Sequence, residues 1–250
     1  MDQQLVVFVD ILGFREAVES WNEGEMTKLI DLLRNVAGLQ SNAAFDQSPE
    51  ETKATAAVTT FSDHIVVSYP VANLSRLGET IPLQIGMHNV KRFVATFARE
   101  VVNLGLLIRG GVTVGPLHHA DKVVVGAAMN EAYKLESQVA IYPRVAVSRK
   151  VYGRIGQLPS AKLFRTDHDG VTHLNYFEYM IESAGNPAKH GANLRRKAWL
   201  DSIERKVAEN IARFEEEEDW KKLANWAWFK KQIERARAGL SKEMYRDPEI

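Results

Sequence analysis

The sequence predicts a mixed α/β (α+β) domain followed by a C-terminal helical extension. Two observations place the domain: runs of Val, Ile and Phe typical of buried strands, and stretches of helical spacing that alternate with them through about residue 180. The third is a change of character near Pro187, after which the chain is charged and helical. A chain of 250 residues is long enough to bury one large core and still carry an appendage.

The elements follow in order. Val6 to Val9 is β-branched and aromatic and reads as a buried strand. Arg15 to Gln40 carries Val18, Trp21, Leu29, Leu32, Leu33 and Val36 at helical spacing, so one helix is expected there. Residues 41 to 53, SNAAFDQSPEETK, are polar and turn-rich and predict a loop. Ala54 to Phe61 and His64 to Tyr69 are strand runs separated only by Ser62-Asp63, which is hairpin spacing. A helix from about Leu83 to Leu104 leads into the strand LLIRGGVTVG. GAAMNEAYKLESQVA reads as a helix, and YPRVAVSRKVYGRIG as a strand followed by a short helix. The segment FRTDHDGVTHLNYF predicts a last hairpin, turning at Asp169-Gly170. In the extension, Trp199, Ile203, Val207, Ile211 and Phe214 form one stripe, followed by the acidic run Glu215 to Asp219 and a Trp-rich stretch. The expected division is therefore a domain over residues 1–182 and a helical extension over 183–250.

Composition narrows the function classes. Lys+Arg and Asp+Glu both number 32, so no global field recruits nucleic acid or an anionic membrane, and an anionic ligand must be held locally. No cysteine is present, which excludes disulfides and thiolate metal sites and fits a reducing compartment. The opening MDQQLVVFVD has no basic region before its five-residue apolar run, and no apolar stretch approaches a membrane span. These features predict a soluble, cytoplasmic protein that neither binds nucleic acid nor inserts into a membrane.

Asp10 and Asp63 stand out as candidate ligands. Each lies at the edge of strand segments where a lone carboxylate is costly. If the two strands are neighbours, the pair can share a divalent ion, and carboxylate oxygens favour magnesium or manganese. Alone, Asp10 is more in keeping with a cap for the following helix and Asp63 with a tight turn, which is what most aspartates in such places do. Ile11-Leu12-Gly13-Phe14 crosses from strand to helix with a glycine in the bend, where backbone N–H groups can hold phosphates. Neither GxxxxGK[ST] nor GxGxxG occurs. Asn130 and Lys134 share a helical face, an amide and a cation suited to a ribose and a phosphoryl group, or simply to a solvated surface. His118 and His119 are adjacent on a strand and point to opposite faces, and His64 has no spaced partner, so none of the three is assigned to a metal.

In order, FVDILGF, FSDHIVVS, RGGVTVG and GAAMNEAYKLES resemble the class III nucleotidyl cyclase family over residues 5 to 180. The family pattern is an FxDIxGF strand end, a second metal aspartate in a hairpin, an RxGxxxG strand and a GxxxNxxxRxES helix. The resemblance implies an antiparallel-rich sheet flanked by helices, and a head-to-tail homodimer with active sites at the interface. It also implies a two-metal reaction in which the 3′-hydroxyl of a nucleoside triphosphate attacks its α-phosphorus and releases pyrophosphate. By position, Asp10 and Asp63 take the metal aspartates for two Mg2+ or Mn2+ ions, with the Ile11 carbonyl as a further ligand. Ile11, Leu12, Gly13 and Phe14 take the triphosphate loop, and Asn130 takes the ribose-orienting asparagine supplied to the partner subunit.

Departures from the family pattern are specific. Lys134 stands where the family has a transition-state arginine, keeping the charge without the bidentate fork. The purine-reading positions, four before Asp63 and seven before Asn130, hold Thr59 and Val123, which cannot make the usual charged contact. The hairpin of the late phosphate-binding lysine offers His173 instead. Arg109 is a candidate for the base or phosphate pocket, or for a structural ion pair. With altered readers and a helical tail, the chain looks like the pyrimidine cyclases of the bacterial Pycsar antiphage system. Those enzymes make cyclic UMP or cyclic CMP, which activates a separate effector. The resemblance favours UTP, with a cytidylate cyclase, an adenylyl or guanylyl cyclase and a non-catalytic nucleotide-binding module as alternatives.

Overall fold

The structure, a computed structural model, describes residues 1–37, 56–71, 80–157, 162–185 and 191–240. The loop expected at residues 41 to 53 lies outside them, as do the expected ends of the first helix at Gln40 and the second strand at Ala54. Two compact units emerge: Met1–Lys91 with Leu106–Asn175, and Arg92–Gly105 with Tyr176–Ile250.

The first unit is built on β1 (Asp2–Leu12), which lies between β3 (His64–Pro70) and β4 (Leu107–Ala120) and is antiparallel to both. A central strand is covered on both faces, so Leu5 to Val9 is one apolar run rather than an alternating one. β2 (Ala57–Phe61) joins β3 through a two-residue turn in which Ser62 takes a left-handed φ of 54°. Beyond β4 come β6 (Val145–Val147), β8 (Thr172–Leu174) and β7 (Phe164–Thr166), giving the order β2-β3-β1-β4-β6-β8-β7. Every pairing is antiparallel except β4 with β6. The expected antiparallel-rich sheet flanked by helices is what forms. The last hairpin turns at Asp169-Gly170, with Gly170 at φ 77°.

Three elements of the first unit differ from expectation. The helix predicted from Arg15 is two helices, α1 (Phe14–Ser20) and α2 (Glu23–Ala37). Asn22 starts the second: its side chain accepts from the Glu25 N–H at 3.0 Å, and its own N–H donates to the Glu25 carboxylate at 3.1 Å. This reciprocal cap holds Trp21 extended and ends α1. The short strand β5 (Val123–Val125), which hairpins onto the end of β4, was not expected. The third is at the end of α4 (Ala127–Lys134), which opens into a π-helical turn, Leu135–Val139.

Close packing of α4 on β4 depends on glycine. A Cβ at Gly111 would sit 2.2 Å from the Ala132 carbonyl oxygen and 2.6 Å from the Leu135 Cβ. Ala128 and Ala132 complete the contact, burying Val6, Phe8, Val66 and Leu117 beneath them. The opposite face of β1 is buried too, with Leu5 so close to Gly86 of α3 (Ile81–Asn103) that a Cβ there would meet it at 2.9 Å. α5 (Arg149–Ile155) is capped by Ser148, whose hydroxyl accepts from the Val151 N–H.

The second unit contains α6 (Phe177–Ala184), also unexpected, with α7 (Ala192–Glu216) and α8 (Trp220–Gly239). Ile203, Val207 and Phe214 of the predicted stripe are buried. Phe177 meets Trp228 and Phe229 edge-on at 5.8 and 6.0 Å, so the aromatic stretch is spent on packing within this unit. Among the described residues no helix is long and apolar enough to cross a membrane.

Candidate metal centre and nucleotide site

The antiparallel register assembles the centre. Asp10 faces His64 on β3 and Arg109 on β4, so all three project from one face of the sheet. Asp63, in the β2–β3 turn, is drawn to the same end by its carbonyl, which accepts the Ile11 N–H at 3.2 Å. Strand β1 does not stop at Asp10 but runs on to Leu12, which places the carboxylate inside the sheet at 7 % exposure.

Donor atoms of Asp10, Asp63 and His64 all lie within 4.8 Å of one another. The Asp10 Oδ1 is 3.6 Å from His64 Nε2, and the Asp63 Oδ1 is 3.1 Å from His64 Nδ1. Arg109 ties the centre to the helix above it, pairing with the Asp10 Oδ2 at 3.4 Å and with the buried Glu136 of the π-helical turn. Burial, and then the negative charge of Glu136, raise the Asp10 pKa to about 6, against the smaller opposing pulls of Arg109 and His64. Two carboxylates and an imidazole, each with a donor atom within 4.8 Å of the others, fit a divalent cation in donor type.

Gly13 makes the bend that follows. Its φ of 88° is left-handed, and it turns the chain from β1 into α1 within two residues of Ile11. Within the predicted loop the Ile11 N–H is already taken, donating to the Asp63 carbonyl at 3.2 Å.

Asn130 and Lys134 are exposed on α4, on the side away from Ala128 and Ala132. Among the described residues neither side chain makes a hydrogen bond or ion pair. Thr59 lies on the same sheet face as Asp10, in the middle of β2, where its hydroxyl bonds His119 Nε2 at 2.9 Å. Ser68 bonds His119 Nδ1, also at 2.9 Å, and burial followed by the charge of His118 lowers the His119 pKa. Val123 is half exposed on β5. The structure therefore gathers Asp10, Asp63 and Arg109 at one end, carries Thr59 on the same face two residues along β2, and leaves Asn130 and Lys134 facing outward. His173, at the expected phosphate-lysine position, is fully buried beside Arg144 and Asp167.

Four residues of the site carried no role from the sequence: Ser68 and Glu136, which were not singled out, and His64 and His119, which were left unassigned to a metal. Strand parity carried a signal for His64 and Ser68, since 64 and 68 share a face opposite 10 and 6. Nothing local signals the His119 contacts, because they join residues 60 and 51 positions apart in the chain.

The sequence matches no protein-family model and no curated protein. Solved structures overlap it loosely. One is a bacterial light-regulated adenylyl cyclase, 15% identical, covering 81% of this chain and 98% of that one, with a TM-score of 0.39. Another is the catalytic core of a rhodopsin-guanylyl cyclase with converted specificity in complex with ATPalphaS, 16% identical, covering 69% and 93%, with a TM-score of 0.42. At these scores the likeness assigns no activity.

Proposed function

We propose that this chain is a nucleotidyl cyclase acting on a pyrimidine nucleoside triphosphate, UTP in the first instance, to give 3′,5′-cyclic UMP and pyrophosphate. The observation that carries it is the convergence of Asp10 and Asp63, singled out by separate motifs, beside the Gly13 bend. In the reaction the substrate's 3′-oxygen forms a bond to its own α-phosphorus, the bond from that phosphorus to the β-phosphate oxygen breaks, and the hydroxyl proton passes to solvent. Asp10, Asp63 and the Ile11 carbonyl would hold divalent ions, which would shield the triphosphate charge and lower the pKa of the 3′-hydroxyl.

The chain's own residues do the rest. Leu12 to Phe14 cradle the triphosphate through the backbone. Arg109 holds the Asp10 carboxylate by one oxygen and leaves the other facing the site. Asn130 orients the ribose and Lys134 neutralises the transferring phosphoryl group of the partner subunit's substrate in a head-to-tail homodimer, which agrees with their outward exposure. Thr59 and His119 present neutral hydroxyl and imidazole groups in place of a charged purine reader. In the defence setting that the resemblance implies, the cyclic nucleotide acts on a separate effector.

The test is incubation with each of the four ribonucleoside triphosphates and manganese, followed by product analysis. A cyclic pyrimidine product is expected, with UTP preferred. No cyclic product, or a clear preference for ATP or GTP, overturns the reading. Asp63→Asn is expected to abolish turnover in a folded protein.

A further inference from the structure

We propose that His64 is a third ligand of the cation held by Asp10 and Asp63, and that its nitrogen gives the centre a preference for Mn2+ over Mg2+. The proposal rests on the cyclase reading only for the presence of a divalent ion at the two aspartates.

The geometry argues for it in three ways. First, His64 is the direct cross-strand partner of Asp10, so both side chains must leave the same face of the sheet at the same level. Second, one donor atom from each of Asp10, Asp63 and His64 lies within 4.8 Å of the other two, close enough for one ion to reach all three. Arg109 engages the Asp10 Oδ2, while the Oδ1 is the oxygen that faces His64. Third, the ring is held: Phe8 lies 5.2 Å away on one side, tilted by 43°, and Phe61 stacks at 5.2 Å and 24°. A ligand already confined by its neighbours loses less side-chain entropy when it binds.

Donor chemistry sets the selectivity. Mg2+ binds oxygen and gives up water reluctantly, whereas imidazole suits the transition metals and raises affinity along the Irving–Williams order. A centre of two carboxylates alone separates Mn2+ from Mg2+ weakly, and one nitrogen widens the gap.

The experiment uses the whole chain and needs no turnover. Mn2+ is titrated in, free ion is followed by electron paramagnetic resonance, and bound ion is examined by pulsed methods for nitrogen coupling, with 15N-histidine labelling to assign it. Histidine nitrogen coupling is expected on the Mn2+ that Asp63→Asn releases. His64→Phe keeps a ring between Phe8 and Phe61 but has no donor; it is expected to lose the coupling and to weaken Mn2+ about tenfold, with Mg2+ competition changing far less. Because the spectrum of the unaltered protein decides, a His64 variant that fails to fold leaves the test intact. Mn2+ released by Asp63→Asn yet showing no nitrogen coupling overturns the ligand role and leaves the cyclase reading standing. Mn2+ binding that survives both Asp10→Asn and Asp63→Asn overturns the two together.

Discussion

Asp10 is a carboxylate kept where the fold alone would not choose one. Its pKa is raised to about 6 from an ordinary 3.8, so the folded protein binds the proton more tightly than the unfolded chain does. The sign follows: without metal, the Asp10 contribution favours folding at low pH and is lost as pH rises from about 4 through about 6. Asp10→Asn removes that charge and is expected to stabilise the metal-free protein at pH 8, by up to about 3 kcal/mol, while abolishing metal binding. Urea denaturation of the two proteins at pH 4 and pH 8, with chelator present, checks it; an equal difference at both values would mean that Asp10 is not the titrating group. The same proton competes with the cation. Mn2+ affinity is therefore expected to fall by up to about tenfold per pH unit below about 6, readable by isothermal titration calorimetry.

At the scale of elements, glycines decide how closely α4 can approach the sheet. Gly111→Ala would drive a Cβ into the backbone of α4 and its π-helical turn, where Asn130, Lys134 and Glu136 are carried. It is expected to cost about 1–3 kcal/mol by denaturant titration and to lower turnover. Gly153, in α5, is the control: a Cβ there meets nothing within 4 Å, so Gly153→Ala is expected to gain about 0.5–1 kcal/mol with unchanged turnover. Much of this level was legible in the sequence. The β1 run, the Ser62-Asp63 hairpin, the strand with Gly110 and Gly111, and the helix bearing Asn130 all lie where periodicity put them. The split at Trp21 was legible as well, in the spacing of Asn22 and Glu25, but the apolar spacing continues across it and hides the cap. β5 was not, since three valines pair with the end of β4 only through a contact that no local pattern encodes. At the site, Asp10 and Asp63 could be matched by motif. His64 matches no motif position; strand parity puts it on a face shared with Ser68, but its pairing with Asp10 is a fact of register, and register follows from tertiary pairing.

Across the whole molecule, the placement of the proposed site residues bears on assembly. Asp10 and Asp63 point into one chain's own centre, while Asn130 and Lys134 face outward without a partner among the described residues. An active site that needs both sets is completed by a second copy of the chain if the homodimer is head-to-tail. That arrangement makes a strong prediction about mixtures. Asp63→Asn alone and Asn130→Ala alone are each expected to be inactive, since every site in either homodimer lacks one essential group. When equal amounts are mixed and allowed to exchange, half of the dimers are mixed. In each mixed dimer one site draws Asp63 from the Asn130→Ala chain and Asn130 from the Asp63→Asn chain, while the other site lacks both. Turnover is therefore expected to recover to about a quarter of the unaltered level, and dilution below the dimer dissociation constant should abolish it. If both residues serve the same chain, mixing restores nothing, and activity per chain does not depend on concentration.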